Sequence, residues 1–163
     1  RVEEKSKIER FDYYRSIEDG ECYACGDRIV DYGFIEEVIM NVEKDLGVKV
    51  IGFGFDRYNC LSTAQKLEEH GWDGTIIEQH SRTLHAPTKW LSELIEQGKF
   101  HYTHNRLLEN NFANAKCTYD TNLNRYINKK KSSGKVDVVF AILDALYLLQ
   151  QAQLNRMDWV VQM

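Results

Sequence analysis

Apolar residues along this chain fall into blocks of two alternating periods. Ile29, Tyr32, Ile35, Val38, Ile39, Val42 and Leu46 recur at helical spacing and predict an amphipathic helix that Gly47 ends. Val48 to Phe55 follows as an almost unbroken apolar run, the pattern of a strand covered on both faces. Leu61, Ala64 and Leu67 return to the helical period and stop at Gly71, and Gly74 to Gln79 reads as a second short strand. Helix, strand, helix, strand is the rhythm of a parallel α/β unit with a right-handed crossover.

Around this unit the pattern is less regular. Lys5 to Ile17 is predicted helical although Phe11, Tyr13 and Tyr14 blur the period, and Gly20 to Asp27 reads as a loop. A third helix is expected after Pro87, the chain's one proline, carrying Trp90, Leu91, Leu94 and Ile95 and ending at Gly98. Phe100 to Tyr102 is expected to be extended and Arg106 to Ala115 helical. Lys116 to Asp120 and Arg125 to Asn128 are expected to form a hairpin. A final helix runs from about Val136 to Leu154. Repeats, low-complexity stretches and linkers are missing, so residues 1–163 are expected to form a single α/β domain.

Two aspartates stand out against this apolar background. Asp56 lies just past the end of the first strand, where parallel α/β sheets place their chemistry; the bland reading is a cap for the next helix. Asp137 opens the apolar helix Val136 to Tyr147, either near the core or as a simple helix-dipole partner. Asp144 is two turns further on the same face, approaching the same site or pairing with a basic residue. Burying an unpaired carboxylate costs several kcal/mol in effective terms, on the order of what a divalent cation would offset. The pair therefore points to metal-dependent phosphate chemistry.

Composition narrows the field. With 43% apolar and 28% charged residues the chain is expected to fold rather than stay disordered. Its net charge of −4 gives no global attraction to nucleic acid. Yet residues 122–135 hold Arg125, Lys129, Lys130, Lys131 and Lys135 and no acid, which suits either contact with a phosphate backbone or a solvated loop. Cys22 and Cys25 form a lone C-x-x-C without the second ligand pair that zinc needs, and reduced thiols are expected for Cys22, Cys25, Cys60 and Cys117. His70, His80, His85, His101 and His104 show no ligand spacing; His80 and His85 are placed near the rim of a site after the second strand. A P-loop and a G-x-S-x-G elbow are both missing, which argues against ATP hydrolysis and serine hydrolase chemistry within this stretch. Neither a membrane-length apolar run nor a signal peptide is seen, and a cytoplasmic setting is expected. The charged opening without Met predicts a piece of a longer chain.

Three stretches then acquire a common context. Gly26-Asp27-Arg28-Ile29-Val30-Asp31-Tyr32, Ile51-Gly52-Phe53-Gly54-Phe55-Asp56-Arg57-Tyr58-Asn59 and Lys135-Val136-Asp137-Val138-Val139-Phe140-Ala141 follow one another in the order seen in the C-terminal nuclease domain of tailed-phage or prophage terminase large subunits. The run from His104 to Asn114, the two-stranded element and the lysine-rich loop extend the resemblance over nearly the whole chain. What it implies is an RNase H-like fold and an endonuclease cutting concatemeric DNA by a two-metal mechanism, with Mg²⁺ or Mn²⁺ ions about 3.5–4 Å apart. Asp56 and Asp137 match two catalytic, metal-binding acids of the family, Asp144 is a third candidate metal ligand, and Lys129, Lys130, Lys131 and Lys135 would meet DNA. Double-stranded DNA, an upstream ATPase domain, the small terminase subunit and the portal are the implied partners.

The family's first catalytic aspartate belongs to an opening strand ahead of the segment matched here, and Asp12, Asp19 and Asp27 do not end a strand-like run. The RNase H-like sheet is therefore expected to be incomplete at its N-terminus and the fragment to be inactive or poorly active. Its open edge is expected to invite pairing with a second copy. Two alternatives remain: a catalytically incompetent DNA-binding or packaging module, and another RNase H-like enzyme such as a resolvase or transposase.

Overall fold

The computed structural model describes residues 2–58 and 60–161, with residues 155–161 described as helical backbone alone. The N-terminal segment is two helices, α1 (Val2–Glu9) and α2 (Tyr13–Glu18), rather than one. Arg10 takes a positive φ of 52°, and the Asp12 side chain then caps α2 by accepting from the Arg15 N–H at 3.1 Å. The next expected helix is also divided, into α3 (Tyr32–Met40) and α4 (Val42–Leu46). Asp31 sets its start, accepting from the Phe34 N–H at 3.1 Å, which leaves Ile29 outside the helix and 82% exposed. Gly47 ends α4 in the left-handed conformation, as expected.

The central parallel unit is present but shorter than its sequence pattern. Strand β1 covers Phe53–Phe55 only, helix α5 covers Leu61–Glu69, and β2 covers Gly74–Ile76. The strands pair in parallel with Phe53 opposite Gly74 and Phe55 opposite Ile76. Val48 and Ile51 lie outside this ladder and are exposed, so the run is not a strand covered on both faces. Its apolar character outlasts its pairing because β2 offers only three residues to bond.

Helix α6 spans Ser81–Glu96 and contains Pro87, whereas the proline suggested a start after it. An interior proline costs about 3 kcal/mol in a free helix. Here Leu84, Pro87, Thr88 and Leu91 form the buried face, and that packing outweighs the lost hydrogen bond. Helix α7 (Arg106–Asn114) is capped by Asn105, and the hairpin of β3 (Cys117–Tyr119) and β4 (Arg125–Ile127) pairs antiparallel as expected. Phe100 to Tyr102 forms no strand; Phe100 instead packs edge-on against Phe112. The last helix, α8, runs from Asp137 to Val161, further than its pattern indicated.

The core forms where α6, β4 and α8 meet, around Leu84, Leu91, Ile127, Val136, Val139, Phe140 and Leu143. Helix α8 also crosses β1 closely enough that a Cβ on Gly54 would meet Leu148. This crossing sets α8 beside the carboxyl end of the parallel pair, where the candidate site lies. No described helix is long and apolar enough to cross a membrane.

Candidate active site

Asp56 follows β1 directly and is half-buried. It does not cap α5, whose N-cap is Cys60; its carboxylate accepts from the Tyr58 N–H at 3.3 Å and so shapes the turn. One strand over, Gln79 lies three residues past the end of β2. Its amide nitrogen donates to both carboxylate oxygens of Asp144, at 3.0 and 3.3 Å, bridging the sheet end to α8. Burial raises the Asp144 carboxyl above its ordinary value. The Gln79 hydrogen bond and the charge of Lys129 oppose that rise, and the negative charge of Asp56 adds to it.

Asp137 occupies a different setting. Its neighbours Val136, Val139 and Phe140 are buried, yet its own side chain is 64% exposed, so the acid faces away from the apolar core. Lys129 Nζ lies 3.4 Å from its Oδ1 and also sits over the Phe140 ring, 4.4 Å from the centroid. Seven helical residues separate Asp137 from Asp144, a rise of about 10 Å along the axis. Asp144 is thus tied to the sheet end through Gln79, while Asp137 pairs with Lys129. Beside Asp137 opens a cavity of about 460 Å³, its wall including Tyr13, Cys22, Cys25, Asn111 and Lys135. Both cysteines are half-buried free thiols, and burial pushes Cys22 up.

The basic segment is only partly free for a ligand. Asn128 accepts from the backbone N–H groups of Lys130 and Lys131 and orders the loop. The Lys131 ammonium donates to the Thr118 hydroxyl at 3.0 Å. Lys130 and Lys135 are exposed. His85 is a structural tie, accepting from the Arg125 N–H at 2.8 Å, and His80 occupies the N-cap position of α6 without a capping bond.

Among the described residues no group of three or more His, Cys, Asp or Glu side chains is gathered to hold a metal ion. The fit to a divalent cation rests instead on a smaller oxygen set. Asp56 lies at the end of β1, Asp144 is held at the end of β2 by Gln79, and Gln79 Oε1 is a buried acceptor without a protein partner. Hard oxygens of this kind suit Mg²⁺ or Mn²⁺ rather than zinc. Gln79 went unnoticed in the sequence, where it reads as the polar end of a strand; a polar residue at the carboxyl edge of a parallel sheet was the available signal.

An α/β domain with acids gathered at the carboxyl end of its parallel strands is the arrangement of RNase H-like nucleases. The chain belongs to the terminase large subunit endonuclease-domain family, whose model matches residues 1–153. The crystal structure of the HK97 bacteriophage large terminase shares the fold, with a TM-score of 0.80 at 21% identity over 90% of this chain. The chain spans 31% of the length of that structure. No curated protein sequence matches it. The fold is RNase H-like α/β, with few strands among the described residues.

Proposed function

We propose that this domain hydrolyses phosphodiester bonds of double-stranded DNA with the help of Mg²⁺ or Mn²⁺, as the nuclease of a phage packaging motor acting in the host cytoplasm. The observation that supports the site assignment is that Asp56 and Gln79 both lie just past the carboxyl end of the parallel pair while Gln79 donates to both carboxylate oxygens of Asp144; family membership supplies the reaction class. A bound divalent cation supplies the positive charge that acidifies water and stabilises the developing negative charge on the phosphate. Asp56 and Asp144 would contribute the ligand oxygens, with the turn at Tyr58 and the amide of Gln79 fixing their orientation. Asp137, the first residue of α8, would serve a second cation, and a phosphate competing for Lys129 would release it. Lys130 and Lys135 hold the DNA backbone, with Lys129 and Lys131 joining by exchanging their protein partners for phosphates. An upstream ATPase domain, a small subunit and a portal would complete the assembly.

Thermal-shift and calorimetric titration with Mn²⁺ test this reading. Asp56→Asn and Asp144→Asn should abolish the metal-induced shift, and Asp137→Asn should weaken it. Normal Mn²⁺ binding by both Asp56→Asn and Asp144→Asn would remove the proposed site and leave a DNA-binding module in its place.

A further inference from the structure

Gln79 holds a place that tertiary packing alone does not require. Three acceptors surround its amide nitrogen: the two oxygens of Asp144 at 3.0 and 3.3 Å, and the Ile77 carbonyl at 3.4 Å. Turning the amide over would set its oxygen against all three, so the orientation is fixed by electrostatic repulsion. With the nitrogen committed, Oε1 is left buried and without a protein partner. Native proteins rarely leave such an oxygen unpaired, and exceptions cluster where a water or ion belongs. Position supplies a second, independent argument. Phe55 pairs with Ile76, so Asp56 and Gln79 both leave the same carboxyl edge of the parallel ladder, within three residues of its end.

We propose that Gln79 is a positioning residue of the divalent-cation site. Its nitrogen holds the Asp144 carboxylate in the orientation that presents it alongside Asp56, and its buried oxygen accepts a hydrogen bond from a water of the cation's hydration shell. This rests on the site assignment above. The amide suits the task better than a carboxylate would, because a third negative charge beside Asp56 and Asp144 would strain the metal-free protein. It also suits it better than an alkyl chain, which would leave Asp144 free to rotate.

The experiment is calorimetric titration of the protein with Mn²⁺, with circular dichroism recorded on every variant. Gln79→Met keeps side-chain length and loses both polar atoms; its Mn²⁺ Kd should rise about 10–100-fold, the usual effect of removing a metal site's outer partner. Gln79→Asn keeps an amide but draws it back one methylene from Asp144, so its Mn²⁺ Kd should rise as well. A Gln79→Met Kd within fivefold of wild type overturns the proposal. Should that variant fail to fold, Gln79→Asn decides, and a Kd within fivefold of wild type overturns it. Asp56→Asn and Asp144→Asn are titrated alongside. If they also bind normally, the site assignment itself has failed; if they lose Mn²⁺ while Gln79→Met keeps it, only the role of Gln79 has.

Discussion

Gly54 sits in the middle of β1 opposite Thr75, at the place where α8 and the residue after β2 press onto the strand. A Cβ there would collide with Ile77 Cδ1, lie 3.2 Å from Ile77 Cγ1 and 3.3 Å from Leu148 Cδ1. Ile77 is 1% exposed, so the clash has no empty space to relax into. Gly54→Ala should therefore cost about 1–3 kcal/mol, the range for overpacking a close-packed core. At roughly 2–4 °C per kcal/mol for a chain of this size, melting should fall by about 2–12 °C. Ile77→Val deletes the colliding Cδ1 and by itself should cost about 0.5–1.5 kcal/mol. In the double variant the added methyl occupies the space the lost one vacates. The loss in the double variant should then fall short of the sum of the two single losses by on the order of 1 kcal/mol or more. Urea unfolding of the four proteins measures this cycle. Strict additivity, or a neutral Gly54→Ala, would refute the close approach of Ile77 and α8 to β1.

Two further outcomes follow from the electrostatics. The Ser81 hydroxyl and then the Asn124 amide hold the Asp120 carboxyl down to about 2, and the Ser16 hydroxyl and then the Arg106 N–H do the same for Glu21. Both folded values lie below the ordinary ones. Their contribution is thus fully present above about pH 4.5 and is lost as pH falls toward 2; melting curves between pH 5 and 2.5 should drop steeply, and less so in Ser81→Ala and Ser16→Ala. Lys130→Gln should weaken DNA binding at low salt and reduce the salt slope by about 1, read from fluorescence anisotropy at several KCl concentrations. An unchanged slope would take the loop away from the DNA.

The parts of the fold legible in the sequence are those with local causes. Gly47 as a left-handed stop, the β1–α5–β2 unit and the antiparallel hairpin all follow from periodicity and turn chemistry. The misread boundaries share a tertiary cause. Pro87 lies inside α6 because its ring is buried against the core, and β1 begins only at Phe53 because its partner is short. In the site, Asp56 was legible as an acid at a strand end. The different surroundings of Asp137 and Asp144 were not, because the two share a face in sequence and only the folded chain sets Asp144 against Gln79 and Asp137 against Lys129. Gln79 was invisible for a related reason: a strand end is polar in most proteins, and its buried amide oxygen exists only in three dimensions.

The most direct test of the nuclease assignment is cleavage of supercoiled plasmid in Mn²⁺. It compares a large-subunit chain carrying this domain with its Asp56→Asn and Asp144→Asn variants. The wild-type subunit should nick and linearise the plasmid without sequence preference. Each substitution should slow cleavage by at least the roughly 10–100-fold that loss of a metal site's outer partner brings. An inert wild-type subunit, or an Asp56→Asn variant that cuts at the wild-type rate, would contradict it.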